Sequence, residues 1–175
     1  LEPFSGRNLR AFGYDMYSEP IRREAMQRAC DNNIVSLSGK VMLVQETKTD
    51  VQPGTLMYIP VYHHHMPTNT IAERRKAIKG WVYSTYRMID LMDSILVQNS
   101  DKLEKKIKLH IYDSPDIMPK DMLYDSEWRT TANKKETGDY NTKLLQLDFN
   151  GKILYLQFYK YSNNLNNFLR VELII

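Results

Sequence analysis

Residues 1–175 read as a mixed α/β (α+β) protein of two units, each with a mainly antiparallel sheet and few helices. Three features support this. Through the first half, period-two apolar alternation repeatedly gives way to the i, i+4 spacing of helices. Residues 106–111, KIKLHI, alternate strictly, as a half-buried strand does. Asn150-Gly151 separates two apolar runs and is the strongest local signal for a two-residue type I′ hairpin.

Composition narrows the classes. With 42% hydrophobic and 26% charged residues, a wholly disordered chain is excluded. The net charge of +3 is spread among interleaved acids, as at Glu104 within 102–108, which argues against nucleic acid as a partner. Cys30 is the only cysteine, so no intramolecular disulfide can form, and its place beside Ala29 on a helix reads as core. No apolar run is long enough for a membrane span or a signal peptide. The chain opens Leu1-Glu2-Pro3 without an initiator Met, as expected of a piece of a longer protein.

In order, residues 11–16 alternate Phe12, Tyr14 and Met16 against Ala11, Gly13 and Asp15, which predicts a strand with Asp15 on its second face. Asp15 then serves either an Asx-type turn or a ligand. Ser18 is the expected N-cap of a helix to Asn33, with Glu19 and Pro20 in its first turn. Ile21, Ala25, Met26 and Ala29 form its apolar stripe, Arg22, Arg23, Gln27 and Arg28 its solvated side, and Asn33 a left-handed end. Residues 34–46 read as two short strands around Ser38-Gly39, and 47–54 as a polar turn. Residues 55–62 form a strand with Met57, Ile59 and Val61 on one face and Leu56, Tyr58 and Tyr62 on the other. Pro60 marks an edge or bulge there.

His63, His64 and His65 point in alternate directions in an extended segment, so a solvated loop is expected and no metal site. Thr70 and Glu73 spell a capping box. Residues 78–86 form a strand, Trp81 and Tyr83 opposite Val82 and Ser84. Residues 88–98 form a helix with Met88, Leu91, Met92, Ile95 and Leu96 inward and Asp90, Asp93 and Ser94 outward. The first unit then covers 1–100 and the second 101–175. In the second, 106–111 is a strand with His110 on its polar face and no partner for catalysis. Residues 122–124 are a short strand candidate, 144–149 and 152–158 form the hairpin, and 168–175 close a meander.

The string AFGYDMYSEPIRREAMQRA, followed in order by Leu37-Ser38-Gly39-Lys40, Pro60-Val61-Tyr62, Gly80-Trp81-Val82-Tyr83, Met88 and Leu91-Met92, resembles the CHASE domain. That family is the extracytoplasmic sensory module of bacterial receptor kinases and cyclases and of plant cytokinin receptors. The resemblance implies tandem PAS-like subdomains, membrane-distal then membrane-proximal. It also implies a long N-terminal dimerisation helix that is missing from this chain. A small molecule would be held by the Asp15 carboxylate and the Leu37 main chain, with Met57, Ile59, Trp81 and Tyr83 as walls. Two departures stand out: Asn33 where relatives more often have Gly, and Ser84-Thr85-Tyr86 where many bacterial relatives carry a small residue, Pro and Phe.

The implied function is sensing of a small molecule of adenine- or cytokinin-like type, on the periplasmic side of an inner-membrane histidine kinase or nucleotide cyclase such as a diguanylate cyclase. A homodimer in the full-length receptor, no cofactor, and membrane contact only through segments outside this chain go with it. The competing expectation is a ligand-free structural or dimerisation module. Catalysis has little support, because no Gly-rich phosphate loop, GxSxG, HExxH or Cys-His pair is present.

Overall fold

The computed structural model describes residues 3–46, 51–98, 107–128 and 140–161. Helix α1 spans Pro20–Asn32, α2 Ile71–Ala77 and α3 Met88–Gln98. Strands β1 (Ser36–Leu37), β2 (Gly54–Tyr62) and β3 (Ile78–Arg87) form one sheet in that order. Strands β4 (Ile107–Tyr112), β5 (Met122–Asp125), β6 (Tyr140–Phe149) and β7 (Lys152–Tyr161) form a second, ordered β5-β4-β7-β6. Every pairing is antiparallel. Two antiparallel sheets with few helices agree with the PAS-like expectation.

Each sheet has its own core. On the first, Ala25, Met26 and Ala29 of α1 bury against Leu56 and Tyr58 of β2, with Val41 and Leu43 closing the side. On the second, Met88 and Ile89 of α3 pack with Leu109, Ile111, Leu123, Tyr124 and Leu154. Leu37 belongs to this second core and Met57 packs against it, so the two sheets share a seam. Polar bonds from Lys40 join them as well: its N–H donates to Asp113 Oδ2 at 2.6 Å, and its Nζ donates to the Lys120 carbonyl at 2.6 Å.

The segment before α1 departs from expectation. Instead of a strand over 11–16, the chain makes 3₁₀ turns at Gly6–Ala11 and Met16–Ser18, separated by Gly13 at φ 75°. A strand needs a ladder partner, and a left-handed glycine breaks the pleat. Phe12 is left 71% exposed, stacked edge-on against Phe4. The N-cap of α1 is Glu19, not Ser18: its carboxylate accepts from the Ile21 and Arg22 N–H groups, with Pro20 in the first helical turn. Asn33 does end the helix in the left-handed region, at φ 53°.

Elsewhere the sequence signals hold, with local corrections. Thr70 and Glu73 form the capping box of α2. The second strand expected in 34–46 reduces to a bridge between Val41 and Gly54. Pro60 lies beyond the reach of short β1 and beside a register shift at Val61/Tyr62, which satisfies both readings of it. In α3, Ile89 is buried and Ile95 exposed, so the inward stripe is rotated toward its N-terminal end. Asp90 and Asp93 are not merely solvated: Gln52 and Arg87 bond the former and the Tyr124 hydroxyl the latter. Asn150 and Gly151 both have positive φ, as the type I′ hairpin requires. His63, His64 and His65 are exposed, and Cys30 is buried. The expected strand over 168–175 and much of the 47–54 turn lie outside the described residues.

Among the described glycines, Gly54 leaves the least room for a side chain. A Cβ there would collide with the whole isobutyl group of Leu43, which is itself buried. Gly54→Ala is therefore expected to lose about 1–3 kcal/mol of stability through overpacking, read from urea unfolding midpoints at unchanged slope.

Candidate functional site

The β2–β3 register sorts the expected ligand residues onto opposite faces. Tyr58 pairs with Tyr83 and Pro60 with Trp81, while Met57 pairs with Ser84 and Ile59 with Val82. Cross-strand partners share a face. Trp81 and Tyr83 therefore lie with Tyr58 toward α1, and Met57 and Ile59 lie on the reverse. One pocket on either face cannot include all four. Leu37 sits in the shared core, and its carbonyl accepts from Arg28 Nη2 at 2.7 Å. Asp15 is exposed, and its Oδ1 accepts from the Tyr17 N–H at 2.9 Å. That contact is the Asx-type turn.

What the α1 face holds instead is a buried guanidinium. Arg22, expected in solvent, is 2% exposed. Its Nη2 donates to the Met42 carbonyl at 2.8 Å, its Nη1 meets Met16 Sδ at 3.5 Å, and its charge lies 5.0 Å from the Tyr14 ring centre. Among the described residues its Nε has no hydrogen-bond partner; the carboxylate of Glu19 stands 4.0 Å away. Tyr58, fully buried, carries a hydroxyl that is likewise without one. Burial raises the phenol well above its ordinary range, and nearby Arg22 opposes that shift. An unmade bond at a buried polar atom costs about 1–3 kcal/mol. Two such atoms, one donor and one hydroxyl, lie under the segment that carries Tyr14, Asp15 and Met16.

The signal for Arg22 was in the sequence. Positions 22, 25, 26 and 29 share a helical stripe as well as 21, 25 and 29 do. The stripe through Ile21 places an apolar residue inside, whereas Ile21 is 38% exposed.

Two clefts adjoin Trp81. One, of about 290 Å³, lies between α1 and the start of β3 and is lined by Tyr17, Gln27, Cys30, Asp31 and Arg75. Tyr17 stacks on Trp81 at 5.9 Å and accepts a bond from Gln27 Nε2 at 2.8 Å. Burial raises the Cys30 thiol, which keeps it protonated and unreactive. The other cleft, of about 470 Å³, runs along residues 81–85 of β3 beside Asn8 and Gln45. Sequence reasoning singled out neither Gln45 nor Asn8, whose positions depend on irregular backbone.

In the smaller cleft, Arg75 donates two bonds to Asp31, at 2.7 and 2.6 Å, and these hold the Asp31 carboxyl below its usual pKa. A depressed folded-state pKa adds stability above the unfolded value of about 3.9. That stability is lost as pH falls through the folded value. Urea midpoints from pH 5 downward should fall less steeply in Asp31→Asn than in the parent chain, while at neutral pH the variant should be the weaker of the two.

Among the described residues no helix is long and apolar enough to cross a membrane. The family model of the CHASE domain matches residues 1–124. No curated protein matches the chain. CHASE domains are extracytoplasmic sensory domains of receptors and are not themselves catalytic. Since that model covers well over half of the sequence, the chain belongs to the CHASE domain family.

Proposed function

We propose that this domain senses a small molecule in its distal unit, residues 1–100, and that it is the periplasmic part of an inner-membrane histidine kinase or nucleotide cyclase. The single observation behind a ligand in that unit is the pair of incompletely bonded buried groups, Arg22 Nε and the Tyr58 hydroxyl. A planar heterocycle of adenine or cytokinin type fits the chemistry. Ring nitrogens accept from Arg22, the exposed Asp15 carboxylate accepts an exocyclic N–H, and Tyr83 and Trp81 supply aromatic surface.

A hydrogen bond to a charged group contributes about 1.5–3 kcal/mol net. Driving a two-state switch from one side to the other takes about 5.5 kcal/mol of differential affinity. Polar contacts to Arg22 and Asp15 therefore set selectivity, and apolar burial on the aromatic face supplies the rest. In this reading Leu37, Met57 and Ile59 lie behind the sheet and relay rather than bind.

One observation favours the other reading, a dimerisation module. Ile59, Val61 and Val82 form an exposed apolar patch on the face turned away from α1. A homodimer in the full-length receptor would cover it.

Thermal unfolding with adenine and N6-alkylated adenines decides between the two. A ligand at a hundred times its Kd should add about 2.7 kcal/mol of stability. Tyr58→Phe removes a hydroxyl that bonds nothing, so its unliganded Tm should equal or exceed that of the parent while its response to ligand disappears. No shift with any purine would leave dimerisation as the function of the domain. An undiminished response in Tyr58→Phe would remove this site.

A further inference from the structure

We infer that the outer edge of β3 is a second binding site, separate from the Arg22–Tyr58 region, and that it takes a short extended peptide by main-chain pairing. The direction of each main-chain group follows from the register. The Ser38 N–H donates to the Leu56 carbonyl and the Leu56 N–H to Ser38 Oγ, so Leu56 points its backbone toward β1. Thr55, Met57 and Ile59, one residue out of step, point theirs toward β3. Their partners Tyr86, Ser84 and Val82 complete those bonds. The N–H and C=O groups of Trp81, Tyr83 and Thr85 therefore face away from the sheet. Strand β3 is last in its sheet, and among the described residues no other main chain or side chain bonds these six groups.

That edge opens into the cleft of about 470 Å³. Gln45 lines the same cleft, is only 8% exposed, and has an Oε1 with no hydrogen-bond partner. A buried amide with an unused acceptor costs stability, and a ligand N–H reached by rotation about its χ3 angle would recover it. The far wall is fixed by Arg10, whose guanidinium donates to the Glu46 carbonyl at 2.8 Å and ties the first 3₁₀ turn to the loop bearing Gln45.

The spacing selects the ligand class. Outward donor and acceptor pairs recur every two residues, about 6.8 Å, and Trp81 to Thr85 spans about 13.6 Å. An extended peptide repeats its own N–H and C=O at that interval. A fused heterocycle meets one pair only. The cleft volume suits a few residues with small side chains, and pairing through the main chain leaves sequence preference to the rim.

Amide hydrogen exchange read by NMR tests this, using a mixed pool of N-acetylated, C-amidated tetrapeptides at millimolar concentration. In the free domain the amides of Trp81, Tyr83 and Thr85 should exchange fast and those of Val82, Ser84 and Tyr86 slowly. The pool should slow the first three at least tenfold, and the same pool N-methylated at every residue should not. Gln45→Leu should weaken the effect without lowering the Tm of the free domain. Slow exchange at those three amides before any peptide is added would mean the chain covers its own edge. It would overturn the proposal, as would no response to the pool or equal protection by adenine. A full response in Gln45→Leu would remove that side chain from the site.

Discussion

The alternation of β2 against β3 is the constraint from which most of the molecule follows. Because side chains repeat every two residues, a single register decides that Leu56, Tyr58, Trp81 and Tyr83 meet α1 while Met57, Ile59 and Val82 do not. The same parity turns the main chain of Met57 toward β3 and that of Tyr83 toward open space. It also explains how Pro60 is tolerated: its missing N–H lies on the side where β1 has already ended, so no ladder bond is lost. A shift of one residue would bury Ile59 beneath α1 and expel Tyr58, whose ring fills the centre of that core.

Against this sheet, α1 presents an unusual stripe. Ala25 and Ala29 have no side-chain bulk, so the helix comes close to Leu56 and Tyr58. Its N-terminal end instead buries Arg22, whose planar guanidinium spreads over Met16, Tyr14 and the Met42 carbonyl. The desolvation of such a charge is only partly offset when one donor goes unused. A closed hydrophobic core would fold at lower cost with methionine at that position. Retaining the charge makes sense where something outside the chain completes its bonds, and this is the physical basis for reading the segment 12–18 as a cover over a site.

Much of this architecture was legible in the sequence because local chemistry and tertiary packing agreed. Asn150-Gly151, the Thr70–Glu73 box and the strict alternation of β4 each specify geometry over a few residues, and each is found. Residues 11–16 have strand-like alternation too, yet alternation only creates a face, and without a ladder partner the local preference of Gly13 for positive φ prevails. The site was less legible. Asp15 and Leu37 were marked by resemblance; the Asp15 carboxylate takes the local Asx-type turn with the Tyr17 N–H, whereas the Leu37 carbonyl is taken by Arg28, nine residues away in sequence on α1. His110, read as lacking a partner, has Asp125 at 3.4 Å from Nε2, brought by the β4–β5 pairing, and the Tyr112 hydroxyl at 3.2 Å from Nδ1, two residues along the same strand.

The seam between the units shows how an event at α1 can be felt beyond the first sheet. Arg28 of α1 holds the Leu37 carbonyl and Ser36 Oγ, and its side chain lies against Gly151 at the tip of the β6–β7 hairpin. Leu37 is packed in the core of the second unit, and two residues on, Gly39 lies close against Asp113. Lys40, next in line, donates its N–H to that same carboxylate, and Lys152 binds the Asp113 carbonyl. A small rotation of α1 would therefore pull on the 36–40 segment and on the second sheet together. Close-packed cores do not absorb such a pull gradually; they move between discrete arrangements. A sensor needs such a connection, and here one arginine, one short strand and one aspartate bridge the two sheets.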